Sequence, residues 1–389
     1  MPDADISSLA SRLVDQMRDL PGVSSDEVVP PPASAETAAK GLCKLCTQAS
    51  SSEASKEQAQ IGQSVLQALM QSSGGPAPAS VLCTVAVTAT AAIDAIDRQP
   101  DADTVETGLL RWGHLRVNVL QVLLHLAASE AACTQLFENT DSAAATTCIT
   151  LLLSNASRTD MEGVRTSANL LRNLSMPTES RSRVGALSGV YDALLKHVGH
   201  RDPNTATVIA ATLRILVEGC PLNARRAAAA LAPAAPGMNM HSTQIRGSLA
   251  AILCADLSKM HPFCRVELAR FVCLTIVGAC AVVNPDASGV GQEQLEQHRQ
   301  LTSTEALQFG IFLLASRQPS LHQEACAALC TARKVYAQQV AHGQHSVWPL
   351  EKLTLPSPDG DRPLALVLRE LTSVGSISEE DFDLLVKAP

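Results

Sequence analysis

Aromatic residues are scarce in this 389-residue chain: six Phe, two Trp and two Tyr make up 3% of it, beside a hydrophobic content of 46%. A core built with so few rings must be packed from Ala, Leu and Val, which suits close-packed helices better than sheets. Catalytic signatures are missing too. There is no G-x-S-x-G, no G-x-x-x-x-G-K-[ST] and no H-E-x-x-H, so no covalent catalysis, cofactor or metal is expected. Gly289 and Gly291 do not fill the gap, because no strand precedes them and the third glycine of a dinucleotide fingerprint is absent. No apolar run of about 18 residues is expected. Asp3, Asp5, Asp15 and Asp19 occupy a stretch that a secretory or transit leader keeps free of acid, which points to a cytoplasmic protein.

The twelve cysteines fall mostly inside helical runs, as at Cys133, Cys220, Cys273 and Cys326. There a thiol serves as a small apolar group, and no disulfides are expected. Cys43 and Cys46 form a C-x-x-C, but no nearby pair completes a zinc site and no βαβ context supports a redox role. His322, Cys326 and Cys330 stand at four-residue steps, with His342 and His345 further on. A packed helix face gives that spacing as readily as a metal site does.

The formal charge of −8 is unevenly spread: residues 1–110 hold 14 Asp and Glu against 6 Lys and Arg, whereas residues 111–389 hold 24 of each. An acidic end repels nucleic acid and anionic membrane, so neither nucleic-acid binding nor membrane insertion is expected, and it attracts basic segments. Asp94 and Asp97 are followed by Asp101, Asp103 and Glu106 in a stretch, RQPDADTVETG, that reads as a loop. It lacks the glycine of a calcium-binding loop. The five carboxylates form a solvated rim or, alternatively, a docking patch for a basic tail.

The most informative stretch is GVRTSANLLRNLSMPTESRSRVGALSGVYDALLKHV, residues 163–198. Val164, Ala168, Leu171 and Leu174 recur at helical spacing until Met176-Pro177 ends the run. A short helix over 179–186, a break at Gly189 and an amphipathic run with Val190, Leu194, Leu195 and Val198 follow. Helix, breaker, short helix, glycine, helix is the order of an armadillo-type repeat, whose period is roughly 40–47 residues. Leu126 in NVLQVLLHLAAS and Leu216 in TVIAATLRILVEGC are the counterparts of Leu174 on either side. Further copies are expected at 248–259 (SLAAILCADLSK) and 322–336 (HQEACAALCTARKVY). One such unit buries too little apolar surface to stand alone, so the units must stack into a shared core.

The predicted fold is therefore all-α, an armadillo-type right-handed superhelical solenoid of three-helix repeats. Residues 1–34 supply an N-terminal helix, with Ile6, Leu9, Leu13 and Leu20 on one stripe, and a Pro-rich connector. Repeats occupy 35–345. Residues 346–389 supply a C-terminal loop and capping helices, in which Ser378 and Asp381 have the spacing of an N-cap pair.

LLRNLSMPTESRSRVGALSGVYDALLKHV, TLRILVEG at 212–219 and HQEACAALCTA at 322–332 together resemble the C-terminal half of the small-GTPase GDP-dissociation stimulator family (smgGDS). In that family "LRNLAIP", "TLRMLID" and "QNEALVALAL" occur in the same order, and the match spans roughly 110–340. The resemblance implies a non-enzymatic armadillo superhelix that binds Rho- and Rap-type GTPases, especially prenylated ones with a polybasic tail. It further implies loosening of their nucleotide, an acidic groove for the tail and an apolar slot for the lipid. Arg172 and Asn173 match the family's "LRN", and Arg165, Asn169 and Asn173 form a row at four-residue steps that would line the groove. On the preceding repeat Gln121 and His125 take corresponding places, His125 standing where the family has Asn, with Ala128 for its Arg. The function expected is that of an exchange factor or chaperone. The alternative is a scaffold that grips an extended peptide or protein without exchange activity, and for Asn173 the alternative is a structural bond to the neighbouring repeat.

Overall fold

The structure is a computed structural model that describes residues 3–18, 20, 30–50, 55–71, 77–97, 102–158, 160–231, 260–280, 304–316, 318–341, 348, 354–355 and 362–386. The repeat expected at 248–259, most of the connector after residue 20, the glycines at 289 and 291, and His342 and His345 lie outside them. The fold class is all-α, an armadillo-type solenoid. The one β element among the described residues is an antiparallel pair of two-residue strands, β1 (Thr354–Leu355) with β2 (Arg362–Pro363).

The chain divides into two compact units, Met1–Leu194 and Leu195–Pro389. The first contains α1 (Asp3–Arg18), α2 (Ala33–Ser50), α3 (Lys56–Met70), α4 (Pro78–Ile96), α5 (Ala102–Leu126), α6 (Glu130–Asn139), α7 (Ala143–Leu153), α8 (Met161–Ser175) and α9 (Thr178–Val184). In this unit α3 packs on α6 and α6 on α9, α1 on α4 and α4 on α7, and α2 on α5 and α5 on α8. First helices stack on first, second on second and third on third, which is how a solenoid builds one core from repeats that cannot fold alone. The repeats are thus α3-α4-α5 and α6-α7-α8, while α1 and α2 occupy second- and third-helix places ahead of them. The stacking also rephases the stretch at 163–198: its first helix, α8, closes one repeat and α9 opens the next.

Local chemistry sets the boundaries. Ser55 and Gln58 form a reciprocal capping box at the start of α3, and Ser129 accepts from Ala132 N at the start of α6. α8 stops at Ser175 and Pro177 becomes the N-cap of α9, in keeping with the predicted break at Met176-Pro177. Gly189 has φ +75°, and a Cβ there would lie 3.1 Å from Leu153 Cδ1, so a left-handed residue without a side chain turns the chain into the short helix α10 (Val190–Leu195).

Three local expectations need correction. A helix, α5, opens at Ala102 where a loop is predicted, because acidic residues such as Asp103 and Glu106 favour a helix's first turns. Among the described side chains of α1 the buried ones are Ala10, Val14 and Met17, whereas Leu13, and Leu20 beyond the helix, are half-buried; the side chains of Ile6 and Leu9 lie outside what is described. Over residues 10–17 the buried side is therefore turned by about one residue from the predicted stripe. Finally α4, at 19 residues, is long and apolar enough by composition to cross a membrane. Its threonines hide this in the sequence. Within the unit 61% of that segment is buried, and Thr90 returns its hydroxyl to Ala86 O at 2.9 Å, so the helix serves as a core element.

The second unit contains α11 (Pro203–Val217), α12 (Pro221–Leu231), α13 (Pro262–Cys280), α14 (Thr304–Leu314), α15 (Pro319–Ala341), α16 (Leu364–Ser373) and α17 (Glu379–Val386). Here α11 packs on α13 and α13 on α15, again third helix on third. α13 and α12 meet so closely that a Cβ at Gly278 would stand 2.6 Å from Ala224 Cβ. Ser378 caps α17: its hydroxyl accepts from Asp381 N at 3.1 Å and donates to Asp381 Oδ2 at 2.7 Å.

Candidate partner-binding face

On α8 the core side and the polar side separate cleanly. Val164, Ala168, Leu171 and Leu174 are fully buried. Arg165, Asn169, Arg172 and Asn173 lie on the other side, with Arg165 exposed and the rest half-buried. Asn173 Nδ2 donates to Ala127 O at 3.0 Å, a carbonyl just beyond the last residue of α5, one repeat earlier. The Cys133 thiol donates to the same carbonyl at 3.3 Å, so the turn after α5 is held both by α6 and by α8. Asn169 Nδ2 donates to its own helix at Arg165 O, 2.9 Å, and Arg165 pairs with Glu162 at 2.6 Å. Arg172 Nε is sealed from solvent without an acceptor.

Gln121 and His125 on α5 face the helices on either side rather than standing alone. Gln121 Nε2 lies 3.5 Å from Glu162 Oε1 on α8, and its Oε1 accepts from Cys43 Sγ on α2 at 3.0 Å. His125 Nε2 lies 3.2 Å from Thr47 Oγ1 on α2, and burial pushes its pKa down from the ordinary 6.5. A lateral chain, Cys43 to Gln121 to Glu162 to Arg165, thus crosses three successive third helices. Cys43 and Cys46 are both buried and free, and burial pushes the Cys46 thiol up to about 12, which removes it from thiolate chemistry at neutral pH.

Of the predicted acidic patch, the structure describes the side chains of Asp94 and Asp97. Asp97 is exposed. Asp94 is half-buried and acts electrostatically on Arg116. Asp101 and the side chains of Asp103 and Glu106 lie outside what the structure describes. The sequence gives no hint of Arg116 itself, whose side chain is 1% exposed and bonds through Nη2 to Asp160 Oδ2. Asp160 also caps α8 by accepting from Gly163 N at 2.9 Å, and a Cβ on Gly163 would overlap the Asp160 carboxylate. One carboxylate therefore starts α8 and ties it to α5, which only a glycine at 163 permits.

In the second unit the third helices carry a second polar row. Arg214 on α11 pairs with Glu218 and with Glu267 on α13, both at 2.6 Å. Arg270 on α13 pairs with Glu324 on α15 at 2.6 Å. Sequence reasoning missed this row because α13 precedes a stretch that is hard to phase. The signal was present in the near-constant Arg-to-Glu offset, 214 to 267 and 270 to 324. His322 Nε2 meets Ser316 O at 2.7 Å, and Cys330 Sγ lies 3.5 Å from Asp381 Oδ1, so these residues are engaged in the packing of α15. Among the described residues no group of three or more His, Cys, Asp or Glu is placed to hold a metal ion. A groove of about 330 Å³ lies between α1 and α4, lined by Met17, Leu20, Ser80, Val81, Thr84, Val85 and Thr88.

No protein-family model matches the chain, and no curated protein does. Among solved structures it is similar to the designed armadillo repeat protein YIII(Dq)4CqI, at 18% identity over 75% of this chain and 99% of that one, with a TM-score of 0.39. It is similar also to SYS-1 in the SYS-1/POP-1 complex, at 9% identity over 99% of this chain and 77% of that one, TM-score 0.44. A third likeness is to Uso1-1, at 12% identity over 98% of this chain and 60% of that one, TM-score 0.43.

Proposed function

We propose that the chain is a cytoplasmic, non-enzymatic armadillo scaffold that holds a protein partner against its third helices. The observation that carries this reading is the division of α8 into a fully buried apolar side and a polar side bearing Arg165, Asn169 and Arg172. Polar side chains on the solvent side of a helix add little to stability, whereas an interface uses them for specificity and encounter rate. The finer reading is that the partner is a small GTPase with a basic, prenylated tail, whose bound nucleotide the scaffold loosens or whose lipid it shields. The resemblance over about 110–340 supports it, residue by residue at Arg172 and Asn173, together with the acid excess of residues 1–110.

The two readings separate in one experiment. The full chain is immobilised and challenged with purified Rho- and Rap-type GTPases, prenylated and unprenylated, and release of a fluorescent GDP analogue is followed. Capture with accelerated release supports an exchange factor, and capture of prenylated forms alone supports a chaperone. If neither form is captured, the GTPase reading falls and partners are sought by proximity labelling from Asn169.

A further inference from the structure

Among the described side chains, the third-helix face of the first unit carries uncompensated positive charge. On α2, Lys40 and Lys44 are exposed and make no ion pair among the described residues. Glu36 is taken by Arg111 and Glu162 by Arg165, while Arg172 on α8 has no carboxylate partner among them. Arg116 and Asp160 neutralise each other beneath the face. Among the described side chains, three cations are therefore left over, on a unit whose end of the chain is acidic. The second unit differs. Its row alternates Glu218, Arg214, Glu267, Arg270 and Glu324, so each cation there is already flanked by carboxylates.

We propose that the third-helix face of the first unit binds an extended acidic segment of a protein partner, its carboxylates set against Lys40, Lys44 and Arg172. The inference rests on the scaffold reading and supplies the partner's chemistry. Third helices packed 8–10 Å apart place α2 and α8 about 16–20 Å from each other. An extended chain at about 3.3 Å per residue crosses that distance in about six residues. Between the cations, Asn118 and Asn169 each return an N–H to their own helix, at His114 O and Arg165 O, both 2.9 Å. Each amide oxygen is left to accept from a peptide N–H. A polyanion of another kind is disfavoured because single-stranded nucleic acid needs aromatic platforms, and Trp112, the aromatic residue of α5, is buried. A basic tail would meet like charge here, so a GTPase tail bound to this protein would sit elsewhere.

The test is anisotropy of a fluorescein-labelled octapeptide of alternating Glu and Ala, titrated with the full chain at about 50 and about 300 mM salt. A Lys/Ala octapeptide and an oligodeoxythymidylate serve as comparisons. The acidic peptide is expected to bind, to weaken severalfold at the higher salt, and to lose about tenfold or more in affinity in the K40E/K44E/R172E variant with the circular dichroism spectrum unchanged. Should that variant misfold, Lys40→Gln with Lys44→Gln, both exposed, is expected to weaken binding by a smaller factor. Absence of binding, equal affinity in the folded variant, preference for the lysine peptide or tighter binding of the oligonucleotide overturns the proposal. A partner captured equally well by wild type and by the charge-reversed chain leaves the scaffold standing while this inference falls.

Discussion

Asn173 and its neighbours on α8 share a stripe but not a role. Asn173→Ala removes the amide donor to Ala127 O and leaves that carbonyl with the weak thiol donor of Cys133 alone, at about 0.5–1.5 kcal/mol for the lost hydrogen bond. Arg165→Ala and Asn169→Ala remove groups at the solvent edge and should each shift stability by no more than about 0.5 kcal/mol. Urea denaturation of the three variants checks this contrast, and the partner-binding assay should rank them in the opposite order. The cysteines separate in the same way, by burial. Cys83, Cys280, Cys326 and Cys330 are pushed up to about 12, desolvation being the chief cause, while Cys220 is half-exposed. Labelling with an aromatic disulfide reagent at pH 8 should modify Cys220 first among the described cysteines and leave the others intact until unfolding. If the buried set reacted equally fast, the helices that cover it would have to open readily.

Between elements, the junction of α5 with α8 depends on one carboxylate. Asp160 caps α8 and neutralises the buried Arg116, whose pKa burial lowers even though Asp160 and Asp94 oppose the shift. Removing one member of a buried pair costs about 3–5 kcal/mol, so Arg116→Ala should destabilise the first unit far more than any substitution on the polar stripe. Gly163→Ala should act on the same junction by displacing the Asp160 side chain, losing a cap worth about 0.5–2 kcal/mol. The turn into α10 is a second such point. Gly189→Ala must adopt φ near +75° and press on Leu153, at roughly 1–2 kcal/mol for the backbone alone. Thermal melts of these variants provide the check, and a Gly189→Ala protein as stable as wild type would mean that the turn can be remade.

At the scale of the whole molecule the titrating groups make stability depend on acid. Hydrogen bonds from Thr205 and Asn204 hold the Asp202 carboxyl below its ordinary 3.8 where it caps α11. A carboxylate with a lowered folded pKa stabilises above the unfolded value and loses that contribution as pH falls through the folded one. His125, lowered by burial, favours the neutral form, so folding weakens as pH drops below 6.5. The melting temperature should therefore decline in two stages, one beginning as pH falls below 6.5 and the other as it falls below 3.8. His125→Gln, whose side-chain amide keeps a donor toward Thr47 Oγ1, should flatten the first stage and Asp202→Asn the second. A solenoid unit shares one core across its stacked helices, so such local changes are expected to appear in the melt of the unit that contains them.

The sequence by itself determined the all-α class, the stop at Met176-Pro177, the glycine turn at 189, the cap at Ser378 and the core side of α8. Each depends on residues within about a turn of one another, and backbone geometry alone makes such patterns legible. Only the tertiary structure decided the phase of the repeats, because counting from α6 or from α8 satisfies the same spacing until stacking chooses between them. The tertiary structure likewise decided that Asp94 serves Arg116, that Gln121 and His125 bond to α2, and that Arg214, Glu267, Arg270 and Glu324 form a row. Those partners stand from 22 residues apart, for Asp94 and Arg116, to 78, for Gln121 and His125 with α2, and no short-range pattern records which distant carboxylate a stacked helix will bring beside a given arginine.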